Sequence, residues 1–103
     1  MKILKEGHRY ELDSLERSNI QNLQFIEKKL VDGVFKTIND GTTNEEVLDV
    51  LINRLRYLNT KAPCRENSIV ITKLEESLMW LNKRTEERIK QKVENTPLNH
   101  KDL

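Results

Sequence analysis

A chain of 103 residues, 36% of them hydrophobic and 5% aromatic, has enough apolar side chains for one small domain and too few for a second. Its 18 lysines and arginines nearly balance its 17 aspartates and glutamates, which leaves a net charge of +1. Without a basic excess, binding to DNA or RNA polymers is not expected. The single cysteine, Cys64, excludes an internal disulfide and favours a reducing compartment.

The sequence lacks the signals of membrane insertion and of catalysis. No run of about 18 apolar residues occurs, and the first residues become charged after two apolar positions. We therefore predict a cytoplasmic protein with no membrane partner. The spacings typical of metal ligands, catalytic triads and phosphate-binding glycine loops are also missing. We expect that the protein is not an enzyme and that it binds no metal and no cofactor.

The first third of the chain has an irregular or extended start that includes Tyr10. Apolar residues then recur at steps near three and four, which predicts a short helix from about Ser14 to Leu30. These residues are Leu15, Ile20, Leu23, Ile26 and Leu30. The next segment, "VDGVFKTINDGTT", carries two of the three glycines and predicts a connecting loop or small hairpin.

A second helix is predicted to begin after Thr43, because Thr43 and Glu46 have the spacing of a capping box. Its apolar residues share one broad face: Val47, Leu48, Leu51, Ile52, Leu55 and Leu58. Pro63 removes a backbone donor and disfavours helical geometry in Ala62. A tight turn is therefore expected at Ala62, Pro63 and Cys64.

The third helix is predicted to run from about Glu66 to Val93, where there is no glycine or proline. One stripe follows alternating steps of four and three. It consists of Asn67, Ile71, Leu74, Leu78, Leu81, Thr85 and Arg88. The prediction is thus a mainly all-α fold, a single small helical domain over residues 1–96 with an antiparallel helical hairpin at 43–93, and a flexible tail at 97–103.

The predicted hairpin encloses little volume and leaves part of its long helix uncovered. A third helix of this length extends roughly 40 Å, more than the second helix covers. We therefore expect a homo-oligomer in which a second copy covers the remaining apolar surface.

Several side chains on the flanks of the hairpin are candidates for binding an anion. Trp80 and Arg84 are an i, i+4 pair, with Arg88 one turn further on. Trp80 then packs at a subunit interface with Arg84 across its ring, or the arginines bind a phosphate. Arg54 and Tyr57 form either an ordinary amphipathic border or a surface on which a base stacks.

Asn67 stands in an otherwise apolar stripe near the predicted turn. Its amide either caps the helix or sets the register of the hairpin, or it contacts a ligand.

The run from Gly41 to about Thr96 resembles the helical-hairpin domain shared by anti-CBASS and Thoeris anti-defence proteins of phages. The most specific pieces are "GTTNEEVL", "CREN", "TKLEESLMWL" and "KRTEER". The resemblance implies a sponge in the cytoplasm of the infected bacterial host. Such a protein binds cyclic nucleotide immune signals without cleaving them.

The resemblance also implies site residues. Thoeris-type members contact a cyclic ADP-ribose-type ligand with an aromatic residue, an asparagine and an arginine, and these positions look like Tyr57, Asn67 and Arg84. Anti-CBASS members use an early tyrosine and a lysine, roles that Tyr10 and Lys28 would fill. Whether the ligand is a cyclic dinucleotide, a cyclic trinucleotide or a cyclic ADP-ribose isomer stays open.

Asn67 and Arg84 are 17 positions apart, about 25 Å on a continuous helix. One small ligand cannot reach both in one chain, so we predict a pocket between subunits of a dimer or a hexamer. The alternative is a helical-hairpin module for protein–protein interaction without a small-molecule ligand.

Overall fold

The computed structural model describes residues 1–91 together with residues 96 and 97. Five β-strands precede two α-helices, so the prediction of a mainly all-α fold is wrong. The chain forms two compact units. Met1–Thr43 contains every strand, and the unit that begins at Asn44 contains both helices.

Three strands form an antiparallel sheet in the order β1 (Lys2–Lys5), β2 (Arg9–Asp13) and β3 (Ile20–Gln24). The turn between β1 and β2 contains Gly7 at φ +78°, a conformation that glycine adopts without steric cost. The second and third strands then pair in continuous register down to the end of β3.

The two remaining strands, β4 (Glu27–Val31) and β5 (Val34–Asn39), form an antiparallel ribbon. Asp32 and Gly33 connect them with φ angles of 52° and 77°. Two consecutive positive φ angles are typical of a type I′ turn, which matches the twist of a hairpin. The sequence predicted either a connecting loop or a small hairpin for this segment, and the segment forms the hairpin.

The helix predicted from Ser14 to Leu30 is replaced by β3 and β4. Over so few apolar residues, steps of three and four do not distinguish a helix from two short strands. The backbone of this segment instead pairs with β2 and with β5. Leu15 is 100% exposed and Ile20 is 70% exposed, so these residues do not form the buried face that a helix requires.

Gly41 lies where the chain leaves the strands and approaches the first helix. The Thr42 amide donates to the Gln24 carbonyl at 2.8 Å, and the Ile26 amide donates to the Thr42 carbonyl at 2.9 Å. A Cβ atom at Gly41 would lie 2.5 Å from the Gln24 carbonyl oxygen. This position therefore requires glycine, because the neighbouring atom belongs to the backbone.

The helical unit is an antiparallel hairpin of α1 (Asn44–Lys61) and α2 (Arg65–Lys90). As predicted, α1 begins directly after Thr43, and the chain turns at residues 62–64. Every residue of the predicted α2 stripe is buried or half-buried, so this part of the sequence prediction is confirmed. Ile52 of α1, 3% exposed, is the one buried hydrophobic residue within the described part of the chain.

Positions 92 and 93 of the predicted hairpin, and positions 98–103 of the predicted tail, lie outside the described residues. Over the described ranges, neither helix combines the length and the apolar character needed to cross a bilayer.

Candidate functional site

Hydrogen bonds hold the turn between the two helices. The Asn59 side chain accepts from the Cys64 amide at 3.1 Å and donates to the Ser68 hydroxyl at 3.3 Å. Cys64 is the N-cap of α2, and its Sγ accepts from the Asn67 amide at 3.4 Å. The tip of the hairpin is therefore fixed by its own side chains.

Asn67 lies half-buried on the inward face of α2, one turn from this tip. The side chain that caps α2 is that of Cys64, and only the backbone of Asn67 takes part in the cap. Within the described residues, the Asn67 side-chain amide makes no hydrogen bond. It retains a donor and an acceptor for another group.

Tyr57 and Arg54 lie together on the outer face of α1, as their spacing predicted. They line a shallow groove of about 610 Å³ together with Asp49, Val50, Asn53 and Arg56. Tyr57 is 60% exposed, so one aromatic ring on a rigid helix faces solvent.

Lys61 also contacts this ring, with its Nζ 5.5 Å from the ring centroid of Tyr57. Lys61 was not among the residues predicted from the sequence. Its i, i+4 spacing to Tyr57 is a signal that could have identified it.

Arg84 is exposed on α2. Because α2 is continuous from Arg65 to Lys90, Arg84 lies about 25 Å along the helix from Asn67. The cation over the exposed Trp80 ring is Lys83, at 5.3 Å, and not the predicted Arg84. A pocket that combines Arg84 with Asn67 in a second copy stays a prediction.

Arg88 is 7% exposed on the inward face of α2. Its guanidinium donates to the Thr96 carbonyl at 2.7 Å. At least this part of its hydrogen-bonding capacity is used within the chain, whereas the Arg84 side chain faces solvent.

Tyr10 and Lys28 both lie in the strand unit, on different sheets. Tyr10 of β2 packs edge-to-face on Phe25, with ring centroids 6.0 Å apart. Lys28 is exposed on β4, opposite Thr37. The structure thus places Tyr10 against an aromatic neighbour and Lys28 on the surface of the ribbon.

The strand unit also buries one carboxylate, that of Glu27, which is 5% exposed. It forms an ion pair and hydrogen bond with Lys5 and accepts from the Asn39 side chain at 3.1 Å. These two hydrogen bonds, with Lys5 the larger cause, hold the pKa of Glu27 below its ordinary value despite the burial.

A second groove, of about 620 Å³, lies between the two helices. Its charged lining is mainly acidic: Asp49, Glu75, Glu86 and Glu87 against Arg56 and Lys83. Arg56 is already paired with Glu75 at 2.5 Å. This groove does not suit a phosphate, and across the described ranges no group of three or more His, Cys, Asp or Glu residues is placed to hold a metal ion.

Comparison with known proteins gives matches to a part of this chain that includes the helical hairpin. Residues 20–86, more than half of the chain, match the family model described as "Acb2/Tad1, hairpin domain". The match includes Tyr57, Asn67 and Arg84, whereas Tyr10 and Arg88 lie outside it.

The chain is also similar to the protein named "Thoeris anti-defense 1" of Bacillus phage SBSphiJ7. The two are 53% identical over 58 residues, which is 55% of this chain and 41% of the relative. The match therefore spans less than half of the relative's length.

Proposed function

The chain belongs to the Acb2/Tad1 hairpin domain family, and from this membership we propose that it is a phage anti-defence protein. It binds cyclic nucleotide signals of bacterial immunity and sequesters them without cleaving them. The observation that carries the proposal is the match over the hairpin, supported by the relative that is named for Thoeris anti-defence. The ligand is a cyclic dinucleotide, a cyclic trinucleotide or a cyclic ADP-ribose isomer.

The side chains of the hairpin have the chemistry that such a ligand requires. The exposed Tyr57 ring provides a stacking surface for a base, and Arg54 beside it provides a guanidinium for a phosphate. The Asn67 amide can pair with a base edge or a ribose hydroxyl. Because rigid helices carry these groups, little ordering is needed on binding, which favours the high affinity of a sponge.

The site is completed by a second copy of the chain in this proposal. Arg84 of one copy lies beside Tyr57 and Asn67 of another, since one chain separates Asn67 and Arg84 by about 25 Å. The protein is then a homo-oligomer, a dimer or a hexamer, in the cytoplasm of the infected bacterium. It acts by mass action and needs no turnover, no cofactor, no nucleic-acid polymer and no membrane.

The experiment is isothermal titration of the purified chain with a panel of cyclic dinucleotides, cyclic trinucleotides and cyclic ADP-ribose isomers. Mass spectrometry then identifies the ligand released on heating. We expect tight binding of at least one ligand and its recovery intact. Chemically altered ligand would indicate a hydrolase, and no binding across the panel would favour a protein-interaction module.

Two asparagines of α2 provide a matched pair for this experiment. Asn67→Ala removes an amide of the site and is expected to weaken binding by about tenfold or more, the effect of losing a hydrogen bond to a charged or polar ligand group. Asn82→Ala makes the same change at an exposed position of the same helix. Equal affinities of the two variants would remove Asn67 from the site.

A further inference from the structure

The outer face of α1 carries one exposed aromatic ring between two cations. Arg54 lies three residues before Tyr57, and Lys61 lies four residues after it, at the last position of α1. Both spacings place side chains on one face of a helix. All three side chains are therefore carried by one helix, α1.

Asp49 also lines the groove beside Arg54, but it forms no ion pair with either cation. Across the described residues, no carboxylate forms an ion pair with Arg54 or Lys61. Arg56, on the same helix, differs because it pairs with Glu75 of α2. The positive charges beside Tyr57 are therefore available to an anion from solution.

We propose that Lys61 is a further ligand-binding residue, which bonds a phosphate of the nucleotide whose base stacks on Tyr57. The inference rests on the proposed function and adds to it a contact that neither the family match nor the sequence motifs assign. In the free protein the Lys61 ammonium lies 5.5 Å from the Tyr57 ring centroid, a weak contact between two exposed groups. A phosphate oxygen is the stronger partner, because it accepts a charge-assisted hydrogen bond.

The ring contact prepares Lys61 for this role. A lysine side chain has many rotamers, and ordering it on binding costs entropy. Contact with Tyr57 already holds the ammonium at the surface where a stacked base arrives. A rotation of the flexible stem then moves the charge from the ring to the phosphate of that ligand.

The spacing of the two cations defines the class of ligand. Arg54 and Lys61 are seven residues apart, about 10 Å along the helix, with Tyr57 between them. A nucleotide with a base over the ring and phosphates at both sides engages all three side chains. A free base or nucleoside engages only Tyr57, and we expect it to bind far more weakly.

The chain contains a matched control for Lys61. Lys83 lies 5.3 Å from the Trp80 ring centroid, which is the same contact at another exposed aromatic residue of the hairpin. Lys61→Met and Lys83→Met both remove the charge and keep most of the stem. Lys61→Arg restores the charge at the original position.

The test titrates wild type, these three variants and Tyr57→Ala with the tightest ligand of the panel, at low and at high salt. We expect Lys61→Met to weaken binding by about tenfold or more, the loss of one charged hydrogen bond. The ligand affinities of Lys61→Arg and Lys83→Met should stay near that of wild type. Their circular dichroism and sedimentation should be unchanged. The Lys61→Met defect should shrink at high salt, because salt screens exposed charges.

Three outcomes would overturn the inference. Unchanged affinity of Lys61→Met, with a clear loss for Tyr57→Ala, removes Lys61 and leaves the sponge function standing. Equal losses for Lys61→Met and Lys83→Met indicate general electrostatic attraction instead of a contact. A wild-type chain that binds no ligand of the panel overturns the proposed function and this inference together.

Discussion

At the scale of single residues, Glu27 is the clearest case of a buried charge that the fold satisfies. Its carboxylate bonds Lys5 of β1 and Asn39 of β5, and so joins the three-stranded sheet to the ribbon within the strand unit. A buried carboxylate without such partners would destabilise the fold. The lowered pKa means that the ionised form is stabilised in the folded state.

We predict that Glu27 makes the strand unit sensitive to acid. Above the ordinary pKa of 4.5 the ionised carboxylate contributes its full stabilisation, which is lost as the pH falls through the lowered folded-state pKa. Glu27→Gln should therefore be less stable than wild type at pH 7, and the difference should close on acidification below about pH 4.5. Urea unfolding followed by the ring NMR signals of Tyr10 and Phe25 measures this.

Glu16→Gln, at an exposed loop position, is the control and should follow wild type at every pH. A difference between wild type and Glu27→Gln that stays constant from neutral to acidic pH would contradict the role given to the ionised carboxylate.

At the scale of the element, the hairpin depends on its turn and its inward stripe more than on its surface ion pair. Arg56 and Glu75 pair across the helices, but their side chains are 57% and 46% exposed. Such exposed pairs contribute about 1 kcal/mol or less. The turn, in contrast, contains the capped N-terminus of α2, where Cys64 supplies the side-chain acceptor.

We predict that Cys64→Ser stabilises the hairpin and Cys64→Ala does not. A hydroxyl is a better N-cap acceptor than a thiol, and a change between a good cap and alanine is worth about 0.5–2 kcal/mol. Thermal unfolding by far-ultraviolet circular dichroism, under reducing conditions, should rank serine above cysteine and cysteine above alanine. The same melting temperature for all three would exclude the cap as a source of stability.

The elements also differ in how far their own sequence predicts them. The helices follow from signals a few residues apart: the Thr43 start, the Pro63 break and the stripe of α2. The strands do not, since β3 and β4 exist only because β2 and β5 pair with them. The helix predicted over Ser14 to Leu30 fits the local periodicity of the apolar residues. That periodicity does not reveal the pairing with β2 and β5.

At the scale of the whole molecule, much apolar surface stays exposed among the described residues. On the helical unit, Val50, Met79, Trp80 and Ile89 are each between 56% and 60% exposed. In the strand unit, Ile20 and Ile38 are 70% and 51% exposed. Contiguous exposed apolar side chains often mark a surface that binds another protein, and Met79 and Trp80 are neighbours on α2.

We predict that Trp80 contributes to self-association. Trp80→Glu places a charge in an apolar contact and should shift the protein to smaller assemblies, whereas Trp80→Phe keeps an aromatic ring and should retain them. Sedimentation velocity at several protein concentrations measures the change. If the ligand site is shared between copies, the ligand affinity of Trp80→Glu should fall as its assemblies become smaller.

A wild-type chain that sediments as a monomer at micromolar concentration would exclude the oligomer. A monomeric Trp80→Glu variant with full ligand affinity would contradict the shared site and place the ligand within one chain.

The candidate site was predictable to the extent that it lies on one helix. Arg54 and Tyr57 share a face of α1 through their spacing alone, and the same reasoning applied to Lys61 would have reached its contact with the ring. The Arg88 contact was not predictable, because its acceptor, the Thr96 carbonyl, lies beyond the helix end.

The helical hairpin, its turn and its inward stripe are predictable from the amino-acid sequence alone, because capping, proline geometry and helical periodicity act between residues close in the chain. Tertiary structure decided the strand unit. Lys5 pairs with Glu27, 22 residues further along the chain, and Phe25 forms a bridge with Thr42. Strands form only when such distant segments pair. Tertiary structure also decided which cations are available, since Arg56 is paired with α2 while Arg54 and Lys61 face solvent.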